Sequence, residues 1–266
     1  MDFAEGYDPL ELASRVERLV AVEEGGVVKR WYWRFRGGRW YGGIATGDLV
    51  GCCLRCGFCW AWRYAWSTRG RYLLSPEEAG SRLVSIARSR RYRQVRLSGG
   101  EPTIAPNHFL EVARYCLSRG LHFVLETNGV LLGARYDLAR RVAELRGVGG
   151  GIEVRVSIKG CSPREFRVLT GAREDAWLLQ LEALRNLLKL GLEPCEEVYP
   201  AIMLSFCDRE SEESVVERLR DIDEALARCI DPEYVFLYPH VIELMRRRGL
   251  RPRTAYRPSE IPDNLI

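Results

Sequence analysis

Short apolar runs of strand length alternate with longer amphipathic segments through most of this 266-residue chain. The strand-like runs are Ile44–Val50, Gln94–Leu97, Phe123–Leu125, Ile152–Ile158, Ala201–Phe206 and Tyr234–Leu237. Helical patterns lie between them, the first opened by Ser75-Pro76-Glu77-Glu78 and reaching Ser89. Ser75 suits the N-cap, Pro76 the first helical position, and the two glutamates the positive end of the helix dipole. Further helices are expected over Asn107–Ser118, Tyr136–Leu145, Asp175–Leu190 and Ser211–Ala227, with Gly120 and Gly191 where helix-ending glycines belong. Such alternation dictates parallel strand pairing through right-handed crossovers. A doubly wound sheet and a barrel both fit, and both place chemistry at the C-terminal ends of the strands.

Ahead of this region, Pro9 to Ala21 reads as a short amphipathic helix. Val27–Phe35 and Arg39–Ile44, parted by Gly37-Gly38, read as a β-hairpin. The expected organisation is an N-terminal helix and hairpin flap over residues 1–43, a core over 44–240, and a tail over 241–266 packed on the core, proline-rich and irregular from Arg251 to Ile266. Hydrophobic residues make up 47% of the chain and charged residues 29%, enough for a sizeable core in a soluble protein. There is no apolar run long enough for a membrane span, and Met1–Gly6 lacks the basic-then-apolar pattern of a secretory signal, so a cytoplasmic location is expected. A net charge of +4 permits nucleic-acid binding without arguing for it. The basic residues are almost all arginine, so a lysine inside a motif draws notice.

Nine cysteines are present, in a chain too long to need a disulfide framework. Cys52, Cys56 and Cys59 follow the first core strand with C-x3-C-x2-C spacing. One short loop can turn three thiolates onto one metal centre, and three ligands for a four-iron cluster leave one iron open. Structural zinc would need a fourth ligand nearby. Only His108, His122 and His240 exist, none forming a close pair, and Cys53 adjoins a ligand.

In this spacing, with Phe58 as the aromatic residue before the last cysteine, the chain resembles the radical S-adenosylmethionine (SAM) superfamily. The stretch Ser98-Gly99-Gly100-Glu101-Pro102 after the second core strand matches that family's Gly-Gly-Glu-Pro motif letter for letter. The resemblance implies a partial (β/α)6 TIM-like barrel of parallel strands carrying an N-terminal β-hairpin. It implies a 4Fe–4S cluster on Cys52, Cys56 and Cys59, with SAM chelated at the open iron. It also implies that Gly99, Gly100 and Glu101 meet the SAM amino group and that the Phe58 backbone lies by the adenine.

Two later motifs, Glu126-Thr127-Asn128-Gly129 and Ser157-Ile158-Lys159, are similar to those of glycyl-radical-enzyme activases, with Glu126 and Ser157 where activases commonly carry aspartates. On an alternating strand Ser157 and Lys159 share a face, and a lysine at a buried strand end needs an anionic partner. The resemblance assigns that role to the SAM carboxylate, and adds Thr127, Ser157 and Lys159 to the SAM contacts. It further implies reductive cleavage of SAM, hydrogen-atom abstraction from an unidentified small molecule, nucleoside or protein, and an electron donor such as ferredoxin or flavodoxin. An activase acting on a partner protein is the narrower alternative. A non-catalytic metal-binding RNA-interaction protein is the alternative of another class.

Cys53, Cys116, Cys161, Cys195, Cys207 and Cys229 are scattered and read as buried, inert thiols, Cys161 being the best candidate for a role. His240, at the end of the sixth strand, reads either as a proton donor or as a capped structural histidine. The aromatic stretch Trp60–Trp66 reads as packing around the cluster, and Arg246-Arg247-Arg248 as a solvated helix end.

Overall fold

The computed structural model describes residues 6–265. The chain begins with helix α1 (Pro9–Val20), whose N-cap Asp8 carboxylate accepts the Leu10 and Glu11 backbone N–H groups. Strands β1 (Ala21–Glu24) and β2 (Val27–Gly38) then pair antiparallel. The hairpin turn is Gly25-Gly26, both at positive φ, as a two-residue loop of this hand requires. It is therefore one element earlier than the expected hairpin. Arg39–Ile44 is not its second strand: Trp40–Gly42 forms a 3-10 turn, and β2 instead pairs antiparallel with the first core strand, β3 (Ile44–Leu49).

Short β4 (Tyr72–Leu74) also adds to β2. From β3 onward the sheet is parallel: β5 (Gln94–Ser98), β6 (His122–Thr127), β7 (Gly151–Ile158), β8 (Val198–Met203) and β9 (Asp231–Glu233) follow one another in space in chain order. The expected α/β architecture with six parallel strands is thus present, with the sheet open rather than closed on itself among the described residues.

Two strand assignments shift. The fifth core strand starts at Val198 and gives way to a 3-10 turn at Leu204. The sixth is Asp231–Glu233, not Tyr234–Leu237. The Val235 N–H is taken by the Ser205 hydroxyl (2.8 Å), and β10 (Val235–Phe236) pairs instead with β11 (Ala255–Tyr256), so the tail is not wholly irregular.

Helices α3 (Pro76–Arg90), α4 (Pro106–Leu117), α6 (Tyr136–Ala143), α8 (Ala176–Lys189) and α9 (Arg209–Arg220) fall where the periodicity places them. Ser75 and Glu78 form a reciprocal capping box at the start of α3. Four helices were not anticipated as such: α2 (Trp62–Ala65), α5 (Val130–Ala134), α7 (Pro163–Thr170) and α10 (Pro239–Arg247). The first three are one or two turns, too short to show a helical period.

The two faces of the sheet differ in chemistry. Val95, Leu97, Phe123, Leu125, Val154 and Val156 are fully buried on one face. The alternate residues Arg96, Glu126, Arg155 and Ser157 carry polar groups on the other. Arg96 pairs with Glu126 there, and Arg34 and Arg36 with Asp48.

Candidate functional site

The cysteine loop leaves β3 directly. Its backbone is tied from three sides: Gly51 N–H to Tyr64 O (3.3 Å), Gly57 N–H to Leu169 O (2.8 Å), and the Arg55 guanidinium to the Cys52 and Leu54 carbonyls. Cys56 is buried and Cys52 and Cys59 are half-buried. Burial pushes the Cys56 thiol well above its usual range, with nearby Lys159 opposing the shift, and pushes Cys59 up to about 12. Cys52 moves the other way, chiefly because the Cys53 thiol donates to it.

The Gly-Gly-Glu-Pro segment lies against this loop. A Cβ on Gly100 would stand 2.4 Å from Gly51 O, and one on Gly99, at φ +82°, would stand 2.7 Å from the Tyr64 ring. A side chain at Gly100 would displace the loop, and one at Gly99 would displace the Tyr64 ring and be held at an unfavourable positive φ. The Glu101 N–H donates to Gly51 O (2.8 Å). The Glu101 carboxylate is buried and accepts from Thr103 Oγ1 and Thr127 Oγ1 (both 2.7 Å), Asn128 N (2.8 Å) and Thr103 N (3.2 Å). Buried Arg30, reaching in from β2, donates to the Glu101 and Pro102 carbonyls (2.6 and 2.7 Å). Glu101 thus joins the ends of β5 and β6, and its side chain is occupied by protein donors.

Asn128 extends the chain of contacts, its amide reaching Cys53 Sγ (3.3 Å). Gln180, fully buried on α8, donates to Asn128 O (2.6 Å) and Ser157 O (3.0 Å) and accepts from Lys159 N (3.1 Å). It clips β6 to β7. Its only sequence signal is a polar residue on the apolar face of a helix.

Ser157 and Lys159 share a face, as the strand period requires, and Lys159 donates to Ser157 Oγ. The anionic partner of Lys159 is within the chain: Glu233, on β9, lies 2.9 Å from Nζ and also takes the Ser157 hydroxyl (2.5 Å) and Arg155 (2.6 Å). Burial alone would raise the Glu233 carboxyl. Lys159 and Arg155 outweigh it and hold the group at about 2. Sequence reasoning missed Glu233, because the last strand was expected to start at Tyr234, just past it, instead of at Asp231.

Glu126 is held by Arg96, the Ser98 hydroxyl (3.0 Å) and the Tyr41 hydroxyl (2.7 Å), which together lower its carboxyl against the effect of burial. Phe58 packs its ring against Phe206, with centroids 5.5 Å apart. His240 donates from Nε2 to Trp60 O (2.8 Å). Buried His108 donates to Val28 O and accepts from the Tyr32 hydroxyl, and burial lowers it to about 4.

The scattered cysteines are not all inert thiols. Cys161 and Cys207 form a disulfide, as do Cys195 and Cys229, because the sheet brings segments 46 and 34 residues apart side by side. Cys53 and Cys116 remain free and buried.

Among the described residues, the one group of three or more potential ligand atoms lying mutually within 4.8 Å is Cys161, Glu165 and Cys207. Cys52, Cys56 and Cys59 do not all lie within that distance of one another. Thiolates about 2.3 Å from one zinc ion would be roughly 4 Å from each other. A set of three thiol ligands on a four-iron cluster leaves one iron open.

The family model described as the Radical SAM superfamily matches residues 49–222, from the end of β3 to just beyond α9. The chain belongs to the radical SAM superfamily. It is accordingly an enzyme, of a family that uses a 4Fe–4S cluster and SAM and needs a reductant and a substrate.

Among curated proteins it is similar to a GTP 3′,8-cyclase of Heliobacterium modesticaldum, 35% identical over 129 residues, which are 47% of this chain and 37% of the relative. Among solved structures it is similar to a radical SAM methyltransferase from Sphaerobacter thermophilus (TM-score 0.55, 14% identity, 86% of this chain and 74% of that one). It is also similar to Streptococcus suis SuiB bound to S-adenosylmethionine (TM-score 0.50, 16% identity, 80% and 46%). The chain spans little more than a third of the cyclase and under half of SuiB, and at these identities the structures show a shared fold. No helix among the described residues is long and apolar enough to cross a membrane. Residues 1–5, on which the reading of the N-terminus rests, lie outside the described region.

Proposed function

We propose that this radical SAM enzyme holds its cluster on Cys52, Cys56 and Cys59 and binds SAM between the Gly99-Gly100 segment and Lys159. The cluster, when bound and reduced, supplies the electron that cleaves SAM to methionine and a carbon radical able to take a hydrogen atom from substrate. The observation that carries this reading is the placement of Gly99-Gly100, the Thr127-Asn128 segment and Lys159 around the cysteine loop, from three different strand ends.

Each residue has a physical task in that arrangement. Gly99 and Gly100 let the segment pack closely on Tyr64 and Gly51 and so bring its backbone beside the cysteine loop, where the SAM amino group is assigned. Thr127 and Glu101 act as a brace, holding the ends of β5 and β6 in register. An ammonium has three N–H donors. Ser157 and Glu233 take two of those on Lys159, and the third is the donor we assign to the SAM carboxylate. The Phe58 backbone is assigned to the adenine. The polar face of the sheet, lined by paired charges such as Arg96–Glu126 and Arg155–Glu233, favours a polar, hydrogen-bonding substrate over an apolar one.

Protein reconstituted anaerobically with iron and sulfide should yield 5′-deoxyadenosine from SAM and dithionite. Stoichiometric zinc in anaerobically purified protein, with no nucleoside product after reconstitution, would overturn the reading.

A further inference from the structure

The arginine and lysine ion pairs on the polar face of the sheet balance except on one flank. Arg96 answers Glu126 one for one, and Arg155 and Lys159 share Asp231 and Glu233 two for two. Glu153, near the start of β7, is occupied by His122 and the Tyr199 hydroxyl. At β2 and β3 the ratio changes. Fully buried Asp48 accepts from Arg34 Nε (2.5 Å), Arg36 Nε (2.9 Å) and Arg36 Nη2 (3.1 Å), so two guanidiniums share one carboxylate. Among the described residues no second carboxylate lies within 4.0 Å of either arginine. The Arg36 side chain is only 23% exposed, so bulk water screens the surplus charge poorly.

This surplus lies beside the cysteine loop. The Arg36 guanidinium sits over the Trp60 ring, 5.6 Å from its centroid, and Trp60 directly follows Cys59. Trp60 meets Tyr64 edge-on at 5.9 Å, and Tyr64 stacks on Trp33 at 5.7 Å, which fixes the phenol ring from two sides. The Tyr64 hydroxyl is buried and has no hydrogen-bond partner among the described residues. Burial pushes the phenol well above its usual range, Asp48 adding to the rise and Arg34 opposing it, so the hydroxyl keeps its proton. A buried donor left without an acceptor is costly. Arg34, Arg36 and Tyr64 together carry more donors and more positive charge than Asp48 uses.

We propose that Arg34, Arg36 and Tyr64 bind an oxyanion of the substrate, a carboxylate or a phosphate group, and so hold the substrate beside the cysteine loop. The proposal rests on the reading of this face as the substrate side of a radical SAM site, and it names the chemical class that the site selects. A guanidinium fork matches the paired oxygens of either group. The Tyr64 hydroxyl adds the third donor, and the Trp60 ring holds the Arg36 plane in place. The substrate anion and the SAM carboxylate are thereby assigned to separate cations, one set on β2 and the other on β7.

The test titrates the reconstituted full chain calorimetrically, with saturating SAM present, using inorganic phosphate and, separately, malonate. SAM occupies the Lys159 side, so the titration reports on the remaining cations. The parent should bind at least one of the two anions, and the tighter one tells a phosphate substrate from a carboxylate. Arg36→Gln keeps an N–H donor for Asp48, and Tyr64→Phe keeps the ring packing; each should weaken anion binding about tenfold. A purely structural role would leave anion affinity untouched in Tyr64→Phe, which removes only an unpartnered hydroxyl. Unchanged affinity in either variant overturns the proposal. So does a parent that forms 5′-deoxyadenosine with dithionite but binds neither anion. A parent that binds an anion but forms no 5′-deoxyadenosine overturns the cluster reading, and the substrate role of this site with it.

Discussion

The Lys159 ammonium and the Glu233 carboxylate lie 2.9 Å apart across the ends of β7 and β9, two strands that do not pair with each other. The contact fixes the lysine beside the cysteine loop from the far side of the sheet, and it makes the pair a sensor of acid.

The Glu233 carboxyl is depressed from an ordinary 4.5 to about 2. A depressed carboxyl contributes stability that is complete above pH 4.5 and is lost as the pH falls toward 2, about 3 kcal/mol at most. Urea unfolding between pH 2 and 6 should show this loss in the parent and a smaller one in Glu233→Gln. At neutral pH the variant should be less stable by roughly 3 kcal/mol, because Lys159 and Arg155 lose a buried partner. Lys159 is raised from 10.5, so its share is complete below pH 10.5 and is lost only as the pH climbs through the raised value. Equal acid sensitivity in the parent and variant would show that Glu233 does not carry it.

Lys159→Met should leave the absorption spectrum of the reconstituted cluster intact while SAM affinity falls about tenfold or more. Truncating one partner of a desolvated charge pair costs roughly 2–5 kcal/mol, and each 1.4 kcal/mol is tenfold. Cys56→Ala should abolish the native cluster instead. Anaerobic binding titrations separate the two effects, and SAM binding as tight as the parent's would remove the carboxylate role.

Gly100→Ala tests the contact between the two motifs without altering any ligand. The added Cβ meets a backbone carbonyl, Gly51 O, at 2.4 Å, so relief requires movement of the cysteine loop. Iron content after reconstitution should drop well below about four per chain, the value for a single four-iron cluster. Full iron loading would show that the loop tolerates the shift.

The disulfides bear on stability, not on the cluster. Closing loops of 46 and 34 residues contributes up to about 4 kcal/mol each by chain entropy. The double variant Cys161→Ser/Cys207→Ser should melt several degrees lower and still load about four irons. Loss of iron in that variant would draw Cys161 and Cys207 into the cluster site.

Much of this was readable from the chain because the relevant signals are local. The spacing of Cys52, Cys56 and Cys59 and the capping residues Ser75 and Glu78 act within a single turn or loop. The order of strand and helix follows from the apolar period alone. The hairpin at Gly25-Gly26 was misplaced because Gly37-Gly38 carries the same turn chemistry, and only pairing partners distinguish them. The last strand slipped because Val235-Phe236 has the better strand composition, whereas Asp231–Glu233 is a strand only through the edge that β8 offers it.

By itself, then, the sequence determined the C-x3-C-x2-C spacing, the glycine motif beside it and the alternation that builds a parallel sheet, since each is a property of near neighbours. Tertiary structure alone decided that Glu233 answers Lys159, that Glu101 spends its carboxylate on Thr127 and Asn128, that Gln180 clips β6 to β7, and that Cys161 meets Cys207. Those contacts join residues roughly 20 to 80 positions apart. A buried charge or amide states only that it needs a partner; which residue supplies it depends on where the sheet brings the strand ends together.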